Sequence, residues 1–291
     1  MSTRLKVVGF VMGLAAVFAL AFGVGNIADP DTEPVAEHDS AGHDGSTGDS
    51  GHGGHDAAAT PASIHLALAQ RSFDPGDAEV SFQLQDDDGR PVTRYDVEHE
   101  KELHLIVLDT RDLTDFQHVH PTRAADGTWT ARLRLGPGTP YRLYADGSTG
   151  GADFLATADV FTTGGHPGPQ GVPEPSTRDR VDGLTVDLDQ TDDTATLHVT
   201  EDGGPVELEP YLGALGHLVV IRVDDLEYLH VHPEAGETPV FAVSGLAPGR
   251  YRAFFDFQVE GVVRTASFTV DVGSSTPTGS DGADHEGGDH D

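Results

Sequence analysis

The chain of 291 residues contains no cysteine, and this absence excludes several kinds of site at once. Disulfide frameworks, thiolate zinc sites, cysteine nucleophiles and blue-copper sites all need a sulfur that is lacking here. Positive charge is also scarce, since 17 Lys and Arg stand against 49 Asp and Glu and give a formal net charge of −32. Because the phosphate backbone attracts clustered basic residues, we exclude a nucleic-acid partner. Imidazole and carboxylate chemistry remain.

Sequence motifs of common enzyme classes are missing as well. The chain has no Gly-x-Ser-x-Gly elbow, no His-Glu-x-x-His zinc motif, no Walker loop and no Gly-x-Gly-x-x-Gly fingerprint. We therefore predict no enzymatic activity, and a metal-dependent hydrolase or oxidase is kept as a less favoured alternative.

The N-terminus carries one long apolar run. After Arg4 and Lys6, residues 7–27 contain no charged side chain, and about 20 apolar residues suffice for an α-helix to cross the hydrocarbon core. We predict a membrane anchor over residues 1–28, with the N-terminus cytoplasmic and the bulk of the chain extracytoplasmic. The alternative is a cleaved signal peptide at Ala19-Leu20-Ala21 and a secreted protein.

Two polar segments flank the remainder of the chain. Residues 29–61 consist mainly of Gly, Ser, Asp, Ala and Glu with four histidines, and residues 273–291 have a similar composition. Such segments bury too little apolar surface to offset the entropy of ordering, so both are predicted to be disordered.

The region between these segments is a tandem duplication. Residues 102–121 align with residues 215–233 with one single-residue gap, and the Pro-Gly and Tyr-Arg pairs that follow also correspond. We assign repeat 1 to residues 62–164 and repeat 2 to residues 180–272, joined by a linker at 165–179 that holds four prolines.

Each repeat is typical of an all-β unit. Short segments rich in β-branched and aromatic residues alternate with Asp-Gly, Gly-Gly and Pro-Gly turns. About 100 residues with roughly seven strands indicate an immunoglobulin-like or cupredoxin-like sandwich. The fold prediction is two tandem sandwiches behind an N-terminal transmembrane helix. Residues 103–108 are apolar on both alternating sets of positions, which fits a strand covered on both faces or a buried helix segment.

Each repeat also contains a His-Val-His-Pro sequence. Residues i and i+2 of a strand point to the same side, so the two imidazoles lie together while Val119 or Val231 faces the core. A third imidazole precedes each pair and would approach it if the two strands form a hairpin around Asp112-Leu113 or Asp225-Leu226. The predicted metal ligands are His104, His118 and His120 in repeat 1, His217, His230 and His232 in repeat 2, and, as a weaker candidate, His99.

Imidazole ligands without thiolate favour Cu(II), Zn(II) or Ni(II), and Cu(II) or Zn(II) is the predicted ion. Carboxylates that could complete or orient the ligand shell are Glu98, Glu100, Glu102, Asp115, Glu227 and Glu234. His65 and His198 stand singly in strands and are interpreted as ordinary strand residues. Structural hydrogen bonding and pH sensing remain alternative roles for the paired histidines.

Residues 98–107, followed by Asp112-Leu113 and by residues 116–121, resemble a family of bacterial extracytoplasmic proteins with the pattern H-E-K-x-x-H-L-I-V…D-L…F-x-H-x-H-P. The family is essentially uncharacterised and is often grouped with heavy-metal or copper handling. The resemblance covers both repeats, although repeat 2 lacks the H-E-K element. It implies a role around metals for His104, His118 and His120 and their counterparts.

These observations favour a membrane-tethered extracytoplasmic buffer or carrier of Cu(II) or Zn(II). Its predicted partners are divalent metal ions, the membrane and a metal transport or efflux protein. The main alternative is a cell-surface interaction or adhesion module in which the histidines are structural.

Overall fold

The structure is a computed structural model that describes residues 63–165, 168, 171–234 and 236–273. These residues form strands, turns and loops without a helix, so the all-β prediction is confirmed. The predicted anchor at 1–28, the segment at 29–61 and the tail after residue 273 lie outside the described residues. Within them, no helix is long and apolar enough to cross a bilayer.

The described residues of repeat 1 form nine strands in two sheets. One sheet has the order β1-β3-β7-β6 and the other β2-β9-β8-β4-β5. All pairings are antiparallel except that of β2 with β9. The strands are β1 His65–Leu68, β2 Ser72–Phe73, β3 Gly76–Gln85, β4 His104–Asp109, β5 Phe116–Val119, β6 Thr122–Arg123, β7 Thr128–Leu135, β8 Pro140–Thr149 and β9 Ala152–Thr162.

Repeat 2 has the same plan. Its sheets have the orders β10-β11-β12-β13, with β16 also on β12, and β15-β14-β17-β18. The strands are β10 Arg178–Val181, β11 Leu184–Gln190, β12 Thr194–Glu201, β13 Gly204–Pro205, β14 His217–Arg222, β15 Tyr228–Val231, β16 Val240–Ala242, β17 Gly249–Val259 and β18 Val262–Val272.

Period-two alternation builds the core of each sandwich. In β7, Trp129, Ala131, Leu133 and Leu135 are buried while the arginines between them face outward. Side chains of the two sheets of a repeat meet in one apolar cluster, and each repeat has its own. Two hydrophobic inner faces that cover each other are what make these sheets a sandwich.

A tyrosine corner marks both repeats as immunoglobulin-like. Near the start of β17, the Tyr251 hydroxyl donates to the carbonyl of Ala247 at 2.7 Å. At the equivalent place in β8, the Tyr141 hydroxyl accepts from the N–H of Gly136 at 2.7 Å. A tyrosine bonded to backbone a few residues upstream, at the start of this central strand, characterises immunoglobulin-like sandwiches.

The two sandwiches pack against each other through the sheets that contain β4 and β14. Strands β4 and β14 are buried on both faces, which explains why residues 103–108 carry apolar side chains on both alternating sets of positions. One face of each strand belongs to its own core and the other to a third cluster between the repeats. The buried members of that cluster are Ile106, Leu108, Leu113, Tyr144, Val219, Ile221 and Phe254.

Equivalent contacts recur on both sides of this interface. Phe116 of repeat 1 stacks on Phe254 of repeat 2 with ring centroids 4.1 Å apart, and Tyr228 of repeat 2 stacks on Tyr144 of repeat 1 at 4.9 Å. The Tyr144 hydroxyl donates to the carbonyl of Leu226 at 3.0 Å. The repeats are therefore related by an approximate two-fold arrangement, as in an isologous dimer.

Removing the Phe254 ring tests this packing. Phe254 is 1% exposed, so we expect Phe254→Ala to lower the free energy of unfolding by about 3–5 kcal/mol through lost burial and a cavity. Phe161 is 53% exposed, and Phe161→Ala is the control, expected to change stability by less than about 0.5 kcal/mol. Urea denaturation measures both, and equal effects would mean that the sandwiches do not pack this way in solution.

Candidate metal centre

All six histidines predicted as ligands lie at one end of the interface between the sandwiches. His104 and His217 begin the central strands β4 and β14 and are 4% and 0% exposed. Strands β5 and β15 pair with these strands as the predicted hairpins, so each His-x-His pair stands beside its third histidine. Val119 and Val231 face the two cores, as expected.

In repeat 1 the three imidazoles meet through particular nitrogens. His104 Nε2 donates to the carbonyl of Glu98 at 3.4 Å, which leaves Nδ1 with a free lone pair. His104 Nδ1 lies 3.0 Å from His118 Nε2 and 3.2 Å from His120 Nε2. We call His104, His118 and His120 the first trio.

Repeat 2 repeats this arrangement nitrogen by nitrogen. His217 Nε2 donates to the carbonyl of Tyr211 at 3.1 Å. Only four buried side-chain polar atoms lack a hydrogen-bond partner in the described part of the chain, and three of them are His217 Nδ1, His230 Nε2 and His232 Nε2. We call these three histidines the second trio. Its free nitrogens are the same atoms, residue for residue, that converge in the first.

The two trios adjoin, a relation between the repeats that the sequence left open. One ring nitrogen each from His104, His118 and His230 lies within 4.8 Å of the others, and so does one each from His217, His230 and His232. His230 thus belongs to both groups. The two sets meet because the interface between the sandwiches brings the β4–β5 hairpin next to the β14–β15 hairpin.

Two aspartates hold the trios, and each acts across the interface. His118 Nδ1 donates to Asp256 Oδ2 at 2.7 Å, and His230 Nδ1 donates to Asp146 Oδ2 at 3.0 Å. Asp146 is in repeat 1 and Asp256 in repeat 2, so each repeat orients a histidine of the other. A carboxylate on Nδ1 fixes the tautomer in which Nε2 carries a lone pair.

Three of the carboxylates predicted as able to complete or orient the ligand shell have other partners instead. Glu102 pairs with Arg123, Glu227 pairs with Arg222, and Asp115 accepts from Tyr141. Glu98 contributes through its backbone, since its carbonyl accepts from His104 Nε2.

A sequence signal for the two aspartates was present. Both occupy the sixth position of Tyr-Arg-x-x-x-Asp, over residues 141–146 and 251–256. In the sheets, Asp146 lies opposite His104 and Asp256 opposite His217. Extending the repeat alignment by four residues beyond Tyr-Arg would have identified the pair, but not the histidine that each contacts.

Backbone geometry at the entry to both central strands supports the site. His99 and Leu212 occupy equivalent turns with φ of 47° and 53°, and these turns supply the carbonyls that anchor His104 and His217. Gly216 has φ of +117°, and a Cβ there would lie 2.5 Å from the Phe255 ring. A side chain at this position would push β14 away from the strand that carries Asp256.

His99, the weaker candidate, lies at the edge of the cluster. It is exposed, and its ring stacks on His232 with centroids 3.3 Å apart, so it extends toward the second trio rather than its own. His65 and His198 lie elsewhere, on exposed positions beside Asp87 and Asp189.

Burial keeps most of these imidazoles neutral. Desolvation, followed by repulsion from His118, His230 and His120, lowers the pKa of His104 to about 2. Desolvation is also the main cause that lowers the pKa of His120 to about 3, of His217 to about 4 and of His232 to about 2. At neutral pH each of these rings therefore keeps one N–H and one nitrogen with a free lone pair.

The lowered pKa values predict an acid-sensitive apo-protein. Near and below pH 6.5, His104 and His217 become protonated in the unfolded chain but stay neutral in the folded protein. The free energy of unfolding therefore falls as the pH falls. Between about pH 7.5 and about pH 5.5 each residue should remove about 1.4 kcal/mol of stability. Denaturation in chelator, beside the His104→Gln/His217→Gln variant, measures this, and an equal pH dependence in the two proteins would contradict it.

Comparison with known proteins gives a family but no activity. No curated protein matches the chain significantly. A two-domain fibronectin type-III segment from chicken tenascin is 14% identical and covers 72% of this chain and 99% of its own, but its TM-score of 0.23 is too low to support an inference. A model for a domain of unknown function, DUF8832, matches residues 61–164 and again 179–274. The chain therefore belongs to the family defined by the domain of unknown function DUF8832 and carries two copies of that domain.

Proposed function

We propose that this protein binds a divalent transition-metal ion, Cu(II) or Zn(II), in the histidine cluster between its two sandwiches. The observation that carries the proposal is the set of buried imidazole nitrogens that face one another without a donor between them. A buried polar atom without a partner costs about 1–3 kcal/mol, so several together call for a cation that satisfies them.

The first trio makes the argument sharpest. The Glu98 carbonyl can only accept, and the Asp256 carboxylate attracts a proton to His118 Nδ1, so His104 Nδ1 and His118 Nε2 both present lone pairs. They stand 3.0 Å apart. Two ligands on a tetrahedral ion, each about 2.05 Å from it, would lie about 3.3 Å apart. A metal ion fits this geometry with a shift of a few tenths of an ångström.

Ligand chemistry supports the choice of ion. Imidazole binds Cu(II) and Zn(II) well, and the described residues offer the cluster neither thiolate nor thioether. Asp146 and Asp256 make the ligand nitrogens more basic, which strengthens metal binding. The net charge of −32 raises the local concentration of cations without selecting among them.

We further propose that the protein is an extracytoplasmic buffer or carrier. The apolar run at 7–27 would tether it to the membrane, and a metal transport or efflux protein would be its partner. A cell-surface adhesion scaffold with structural histidines is the competing function, and the titration below separates the two.

Metal titration of the full chain is the direct test. Calorimetry with Cu(II) and Zn(II) uses protein in which the six terminal histidines, His38, His43, His52, His55, His285 and His290, are replaced by serine. We expect tight binding that His118→Ala/His230→Ala abolishes, because His230 belongs to both groups and His118 to the first. The matched control, His65→Ala/His198→Ala, removes two exposed histidines and should leave binding unchanged. Binding that is absent, or equal in both variants, would favour the adhesion scaffold.

The orienting aspartates give a second test. Asp146→Asn and Asp256→Asn keep the side-chain shape but remove the charge behind His230 and His118, so each should weaken metal binding by about 10–100-fold. Asp189→Asn alters a carboxylate–histidine pair at the surface and should have no effect. The same titration measures all three variants, and circular dichroism checks their fold. Undiminished affinity in the first two would remove the aspartates from the site.

A further inference from the structure

We propose that the cluster is a dinuclear centre in which each trio holds one metal ion and a small anion such as hydroxide bridges the pair. This inference rests on the proposed metal-binding function and adds the number of ions and their coupling.

The first argument is the number of ligands. A single divalent transition-metal ion of the kind proposed takes about four ligands, and three imidazoles with one open position are a complete protein contribution. Six imidazoles converge here, divided into two sets of three. One ion would leave at least two buried lone pairs unsatisfied, the same cost that motivates a first ion.

The second argument is that each set is complete by itself. Each has one strand-start histidine anchored by a turn carbonyl, one histidine oriented by an aspartate, and one histidine two residues further on. The ligand atoms are the same in both sets: Nδ1 of the first histidine and Nε2 of the other two. His230 lies within reach of both groups, but each trio has three imidazoles of its own, so both can be occupied together.

The third argument is proximity. A ring nitrogen of His230, in the second trio, lies within 4.8 Å of ring nitrogens of His104 and His118, in the first. The His104 and His217 ring centroids are 6.1 Å apart. Two metal ions, each about 2 Å from ligand nitrogens this close together, would lie next to each other. The paired ions of two-metal sites lie about 3.5–4 Å apart. The open position on each ion can then be filled by one shared ligand.

Charge favours an anionic bridge. Two divalent ions bring four positive charges, and the carboxylates beside the rings, Asp146 and Asp256, supply two negative charges. A hydroxide between the ions reduces the repulsion further and replaces a bound water whose pKa the metals lower. The ligand class we assign is therefore a small oxygen anion.

Copper loading with electron paramagnetic resonance tests the proposal on the full chain with serines at the six terminal histidines. We expect two Cu(II) per chain with an integrated signal well below two spins or with a half-field transition, because a bridged pair is magnetically coupled. His217→Ala/His232→Ala should bind one Cu(II) with one full, uncoupled spin. His104→Ala/His120→Ala should do the same, and native mass spectrometry with Zn(II) should show two ions in the parent and one in each variant.

Other outcomes separate the inference from the function on which it rests. One tight ion per chain with one full spin would overturn the dinuclear centre and leave metal binding intact. Two ions with two full, uncoupled spins would also overturn it, in favour of independent sites. No tight binding would refute both proposals.

Discussion

The face-to-face packing of the sheet that contains β4 against the sheet that contains β14 is the constraint on which the rest of this structure depends. Phe254 on Phe116 and Tyr228 on Tyr144 hold the sheets at a contact distance that buries β4 and β14 on both sides. That burial removes water from the histidines at the end of the same interface. Without it the imidazoles would be ordinary exposed strand residues, hydrated and titrating near their usual pKa.

The approximate two-fold relation between the repeats turns a duplication into a single site. Because Asp146 reaches His230 while Asp256 reaches His118, each repeat orients one histidine of the other repeat's trio. The chain behaves like an isologous dimer whose two halves are covalently linked. Because both repeats belong to one chain, repeat 2 meets repeat 1 within the molecule. Formation of the shared site therefore does not depend on protein concentration.

Part of the site could be predicted because it rests on local periodicity. His118 and His120 share a face since strand residues alternate, and the hairpin brings His104 beside them. Prediction failed for the carboxylates. Proximity in sequence favoured Glu98 to Glu102, yet Glu102 is neutralised by Arg123 while Asp146, distant in sequence, lies opposite His104 across the sheet. Strand register, which the sequence does not reveal, decided between them.

The sequence by itself determined that the chain is all-β, that it is duplicated, and that three histidines recur in each copy, because these depend on composition, alternation and alignment alone. The tertiary structure alone decided that the two histidine sets meet and that each is oriented by the opposite repeat. Those facts depend on which outer sheet faces are apolar enough to pack and at what angle they do so. His118 and Asp256 are more than 130 positions apart in the sequence. A contact between residues so far apart produces no periodic pattern from which it could be predicted.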